Sequence, residues 1–195
     1  VGEFEHDLEE YIGGGRRVLC VNSGTAALHL AVQACTHPGD DVLVPSFTFV
    51  SSYQAITGAG CHPISCDIDP ETLTLDLKDA EKRITPKTTA MMPVYYASNC
   101  NMVNEYQEFA RKHNLRLIED AAHSFGCKNL GRRIGSFGDV VCFSFDGIKN
   151  ITSGEGGAVV TANPDTIQKV SDARLLGVQK DSEKRYAGKR SWVFD

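Results

Sequence analysis

Apolar and polar positions fall along this chain in blocks whose lengths separate strands from helices. A stretch with one apolar face over residues 3–11 predicts a first helix, and the short apolar run 17–21 after it reads as a strand. Residues 26–35 carry apolar side chains around most of a helical wheel, which suits a mostly buried helix. Pro38-Gly39-Asp40 marks a turn into a strand at 42–45. The pattern then predicts a helix at 49–57 ending at Gly58-Ala59-Gly60, a strand at 63–68, a helix at 77–84 and a strand at 90–95. A helix at 103–113 leads into a strand at 115–119; strands at 140–144 and 158–161 and a helix at 164–175 follow.

Strands separated by helices of this length imply an α/β fold, a mainly parallel sheet with helices on both faces in three layers. In such sheets ligands sit outside the carboxyl ends of the strands, so the loops leaving those ends are where chemistry is sought. The chain of 195 residues can bury one good-sized core, and one domain over 1–195 is the expectation. It shows no internal repeat. It begins at Val1 without a methionine and stops at Asp195 just after Trp192 and Phe194, so both ends read as cut. A fragment of a longer polypeptide, or a half-length relative of one, is expected.

Composition acts mainly by exclusion. A net charge of −5, with only a short, interrupted basic run between Lys184 and Arg190, argues against nucleic-acid binding. No apolar stretch is long enough to cross a bilayer and no signal segment opens the chain, which points to the cytoplasm. Seven cysteines, an odd number set mostly in apolar runs, read as reduced, buried thiols. Cys61 and Cys66, with His62 between them, lack zinc-site spacing, and no metal is expected.

Four segments at strand-to-helix junctions carry candidate chemistry. Ser23-Gly24-Thr25-Ala26-Ala27 opens a helix with small residues and exposed amides, a place for a phosphate or for an ordinary N-cap. Pro45-Ser46-Phe47-Thr48-Phe49 offers an aromatic ring that either lies on a planar ligand or belongs to the core. Glu119-Asp120-Ala121-Ala122-His123 ends an apolar strand. A buried acid there needs a partner, such as a protonated pyridine nitrogen, unless Asp120 simply caps a helix. Ser144-Phe145-Asp146-Gly147-Ile148-Lys149-Asn150, followed by Gly154-Glu155-Gly156-Gly157, carries a lysine from a hydrophobic strand into a glycine-rich turn. Such an amine can form a Schiff base if partly desolvated, or can be a surface lysine. The glycines make neither a P-loop nor a dinucleotide fingerprint.

In this order and at these separations the four motifs resemble the DegT/DnrJ/StrS-type sugar aminotransferases, pyridoxal-phosphate (PLP) enzymes of fold-type I. The resemblance runs from Glu3-Phe4-Glu5 to about Gly177 and implies the large, PLP-binding domain of such an enzyme. It assigns Lys149 as the Schiff-base lysine and proton shuttle, Asp120 to the pyridine nitrogen, His123 beside the ring and Phe49 on its face. Amides at the Gly24, Thr25 and Ala26 turn, with the Ser144 hydroxyl, would hold the phosphate. The implied reaction moves an amino group from an amino acid, glutamate by family habit, to a nucleotide-linked keto-sugar, in a homodimer with shared active sites. Amino-sugar or polysaccharide biosynthesis is the implied setting.

The pattern also departs from the family. Set against the resemblance, residues 1–195 are expected to fall short of the small C-terminal domain that closes the active site and of the usual opening segment. Where relatives often read His-x-x-Gly, this chain has Tyr95-Tyr96-Ala97-Ser98. The alternatives are a sugar dehydratase, which would have histidine in place of Lys149, an enzyme aminating a carbocycle, and a non-catalytic scaffold of the same fold.

Overall fold

The computed structural model describes residues 1–175, and the basic run between Lys184 and Arg190 and the Trp192 and Phe194 pair lie outside them. In chain order the elements are α1 (Gly2–Ile12), β1 (Arg17–Val21), α2 (Gly24–Cys35), β2 (Asp41–Pro45), α3 (Val50–Gly58), β3 (His62–Cys66), α4 (Leu77–Lys82) and β4 (Thr88–Met91). Then come α5 (Val103–His113), β5 (Arg116–Asp120), a small hairpin of β6 (Lys128–Asn129) and β7 (Arg132–Arg133), β8 (Val140–Ser144), β9 (Gly157–Thr161) and α6 (Pro164–Ala173).

Seven strands form one sheet in the order β1-β9-β8-β5-β4-β2-β3. β3, β2, β4, β5 and β8 pair in parallel, while β9 is antiparallel to both of its neighbours, β8 and β1. The sheet is therefore mixed and mainly parallel, as the alternation of elements implied.

Alternate side chains along each strand feed two cores, one per face. Leu43, Met91, Leu117, Val141 and Val160 pack toward α1, α4 and α5. Val42, Val44, Ile118, Cys142 and Val159 pack toward α2, α3 and α6. Helix α5 shows why sequence pattern suffices for a surface helix: Val103, Tyr106, Phe109 and Ala110 form one buried stripe. Three basic residues fill its last turn, and Asn114, at φ 53, ends it in the left-handed conformation. Helix α2 is covered by the sheet and by α3 and α6, hence its apolar character on several faces. Arg174, just past α6, pairs with Glu5 of α1 and donates to the Cys20 carbonyl at 3.1 Å, joining the last helix to the first.

Several boundaries differ from the sequence pattern. The apolar run at 90–95 leaves the regular ladder at Met91, because Pro93 has no amide to donate. The chain beyond stays extended: the Asp120 amide donates to the Pro93 carbonyl and the Tyr95 amide to the Asp120 carbonyl, each at 3.0 Å. The β6–β7 hairpin has no alternating apolar face and escapes detection by pattern.

Beneath the sheet's carboxyl edge lies a buried polar group. Glu119 is 1% exposed; its Oε1 accepts from the Tyr95 hydroxyl, while Oε2 lies against the backbone of Gly138 with no hydrogen-bond partner. The Arg16 guanidinium donates to the carbonyls of Gly138 at 2.8 Å and Asp139 at 2.9 Å, and its charge only partly offsets the burial of Glu119. Burial pushes the Glu119 carboxyl up to about 8. Between pH 4.5, where the unfolded chain releases this proton, and about pH 8 the folded protein retains it, so stability falls as pH rises. Glu119→Gln should flatten that fall by up to about 1.4 kcal/mol per pH unit. Urea unfolding of the intact protein at several pH values measures it, and an unchanged slope would mean that Glu119 is ionised in the fold.

Candidate active site

At the carboxyl edge of the sheet, the ends of β1, β5 and β8 and the start of α2 and α3 enclose a cavity of about 550 Å³. Its floor on one side is the N-terminus of α2. Ser23 is the N-cap, and its Oγ accepts from the Ala26 amide at 3.1 Å. The Gly24 and Thr25 amides have no such partner among the described residues, and the helix end adds partial positive charge. Ser144, the last residue of β8, lies directly over this turn: a β-carbon on Gly24 would stand 2.7 Å from Ser144 Cβ. The glycine is thus a steric requirement for the serine hydroxyl to reach the helix end.

The second wall is the end of β5. Asp120 is 4% exposed, and two donors hold it: Ser52 Oγ on α3 at 3.0 Å and the Ala122 amide at 3.2 Å. Ser52 is in turn bonded to Thr48 Oγ1 at 2.7 Å, which ties the acid to the segment before α3. Burial raises the Asp120 pKa despite these donors and despite the opposing charges of His123 and Lys149. A carboxylate in that condition is stabilised by a cationic hydrogen-bond donor placed in the cavity it lines.

His123 follows on the turn after β5. Its Nδ1 accepts from the Ala97 amide at 3.3 Å, which leaves the proton of the neutral ring on Nε2. Partial burial, and then the Lys149 charge, lower its pKa. Lys149 lies on the exposed turn between β8 and β9 and lines the same cavity. Phe49 is the N-cap residue of α3, 72% exposed, and lines the cavity. Phe47 and Tyr96 line it too, edge to face at 4.7 Å between ring centres.

The structure thus brings Gly24, Thr25, Phe49, Asp120, His123, Ser144 and Lys149 to one cavity. Ala26 is placed differently. Its amide is already taken by Ser23 Oγ, and it lines a different depression with His29 and Leu30. Sequence reasoning also missed Ser52, a buried serine one helical turn after Phe49 whose position facing the sheet was the available signal. The segment Tyr95-Tyr96-Ala97-Ser98, noted from the sequence as a departure from relatives, forms a turn in which Ala97 at φ 50 and Ser98 at φ 67 are both left-handed. Each costs roughly 1–2 kcal/mol for a residue with a β-carbon. The Ala97 amide bond to His123 Nδ1 and a bond from the Ser98 hydroxyl to the His123 carbonyl offset that cost.

A donor set of this kind suits a phosphorylated, protonated aromatic heterocycle: amides and a hydroxyl for the phosphate, a buried acid for the ring nitrogen, a lysine for an aldehyde. Comparison with known proteins points the same way. GDP-perosamine synthase of Caulobacter vibrioides is 44% identical over 187 residues, 94% of this chain and 49% of that protein. The structure of DesI in the presence of its TDP-sugar product superposes with a TM-score of 0.84 at 34% identity, covering 94% of this chain and 46% of that one. NtdA from Bacillus subtilis, with bound cofactor PMP, gives a TM-score of 0.88 at 28% identity, over 100% of this chain and 42% of its own. The chain spans about half the length of the curated relatives it matches. The sequence model of the DegT/DnrJ/EryC1/StrS aminotransferases aligns with residues 1–192, nearly every position discussed above, and the chain belongs to that family.

Proposed function

We propose that the intact protein is a PLP-dependent aminotransferase, and that residues 1–195 are its large, cofactor-binding domain. The observation that carries this reading is the buried Asp120 carboxylate, held by Ser52 and facing the cavity that Lys149 also lines. Its substrates are an amino-acid donor, glutamate by family habit, and a keto-sugar linked to a nucleotide, in the building of amino sugars or surface polysaccharides. The relatives named above, one a GDP-perosamine synthase and one seen with a TDP-sugar product, support that substrate class.

Bound PLP supplies an electron sink for the substrate's α-carbon electrons. The chain's own residues do the rest. The Gly24 and Thr25 amides and Ser144 Oγ hold the phosphate at the positive end of α2. Asp120 would accept from a protonated ring nitrogen, and a cation there would relieve the desolvation of its carboxylate. Phe49 covers one face of the ring, and His123, kept neutral, orients it from beside Asp120. Lys149 Nζ would anchor the cofactor and, when free, would serve as the base and acid that moves a proton at the reacting carbons.

A second subunit closing the cavity, as in a homodimer, is supported by the apolar residues Phe49 and Ile148 of the cavity lining and by Val50 and Ile151 close to them in the chain, all more than half exposed. The cytoplasm is the proposed location; no helix among the described residues is long and apolar enough to cross a membrane. Lys149 argues against the dehydratase reading, and the Asp120, Ser144 and Lys149 set argues against a non-catalytic scaffold.

Lys149→Ala in the intact protein should abolish the visible absorbance of covalently held PLP and its reductive trapping by borohydride. Peptide mapping of the reduced wild type should find the label on Lys149. A colourless wild type that ignores added PLP would overturn the enzyme reading in favour of a scaffold. Asp120→Asn should still capture PLP but lose about 100-fold or more in transamination rate, because a neutral amide no longer stabilises the protonated ring. Single-turnover kinetics with an amino-acid donor checks this.

A further inference from the structure

Lys149 sits on an exposed turn that has few ties to the rest of the molecule. Within the turn, the Ile148 amide donates to the Asp146 carboxylate at 3.1 Å and the Lys149 amide to the Asp146 carbonyl at 3.0 Å. Among the described residues, one hydrogen bond links residues 147–151 to another part of the fold, from Asn150 Nδ2 to Ser98 Oγ at 3.3 Å. The same hydroxyl donates to the His123 carbonyl. One oxygen atom therefore joins three segments: the lysine turn, the Tyr96–Ser98 turn and the turn after β5.

The backbone at this atom is informative. Ser98 is left-handed, at φ 67, a conformation that glycine adopts without strain. Glycine would ease the backbone, but it has no hydroxyl and could bond neither His123 nor Asn150.

We infer that Ser98 and Asn150 form a latch that holds the lysine turn against the His123 turn and so sets where Lys149 Nζ meets its cofactor. This rests on the reading of Lys149 as the PLP anchor and deepens it. Ser98 and Asn150 are positioning residues that act through Lys149. Without the latch, residues 147–151 keep their bonds to Asp146, with the loop closed behind them by Thr152 Oγ1 and the Ser153 amide on the Phe145 carbonyl, and the amine samples positions from which it cannot react.

Ser98→Gly, Asn150→Ala and the double variant, made in the intact protein, test the latch with two measurements. Hydrogen exchange of the 147–151 amides, read without PLP, should quicken about 5- to 10-fold in each single variant, the loss of one modest hydrogen bond, with little further change in the double. Capture of added PLP, followed by absorbance, should slow by a similar factor with the same lack of additivity. Because Ser98→Gly relieves backbone strain, its urea midpoint should hold or rise, which separates a positioning role from a structural one. Exchange and capture rates within about twofold of wild type in both single variants, or fully additive effects in the double, would overturn the latch. Failure of the wild type to capture PLP would overturn the parent reading instead, and exchange would still decide whether the latch exists.

Discussion

Where β1 and β8 end and β9 begins, backbone segments come together more closely than any β-carbon permits. A side chain on Gly157 would stand 2.3 Å from the Ser23 carbonyl oxygen, and one on Gly24 would meet Ser144. Gly157 also pairs with Val21 on one side and Ser144 on the other, so it is the point at which the antiparallel strand is held between two parallel ones. The rest of the site depends on this contact. It brings the α2 N-terminus up to the sheet, sets the Ser144 hydroxyl above two open amides, and fixes where the lysine turn leaves β8. The two glycines supply proximity, and proximity sets a hydroxyl beside two open amides at an otherwise ordinary N-cap.

The end of β5 shows how adjacent residues on opposite faces of one strand reach different chemistry. Glu119 points into the core packed by α1 and α5, where burial favours its protonated form and the Tyr95 hydroxyl accompanies it. Asp120 points toward the cavity, where Ser52 and the Ala122 amide stabilise its charge without fully offsetting its burial. The first carboxyl is a structural group and the second is available to a cationic partner. Strand alternation alone produces this division.

Much of this was legible in the chain before folding. Apolar runs mark the buried strands, and the stripe on α5 and the all-round apolar surface of α2 predict their environments. The site segments were recognisable because each joins a strand end to small, polar or charged residues. What escaped depends on contacts between distant positions. Nothing local says that β9 runs against its neighbours, since β9 reads as a short apolar strand in either direction. Ser52 has meaning only beside Asp120, and the Ala26 amide, unlike those of Gly24 and Thr25, has a partner because Ser23 turns its own side chain inward. Pro93 ends the β4 ladder earlier than hydrophobicity implies, for want of one amide hydrogen.

The reversal of β9 has a further consequence for chain entropy. Parallel strands require a crossover that carries the chain back to the starting edge, whereas β8 and β9 need only a short excursion at the edge where the cavity lies. The ends of the lysine turn are therefore already held side by side by the sheet's own hydrogen bonds, so closing the loop adds little entropy cost beyond that of the sheet. Lys149 thus rides on a segment whose ends the sheet has already brought together, so what remains to be fixed is the middle of the turn, where the Asp146 and Ser98 contacts act.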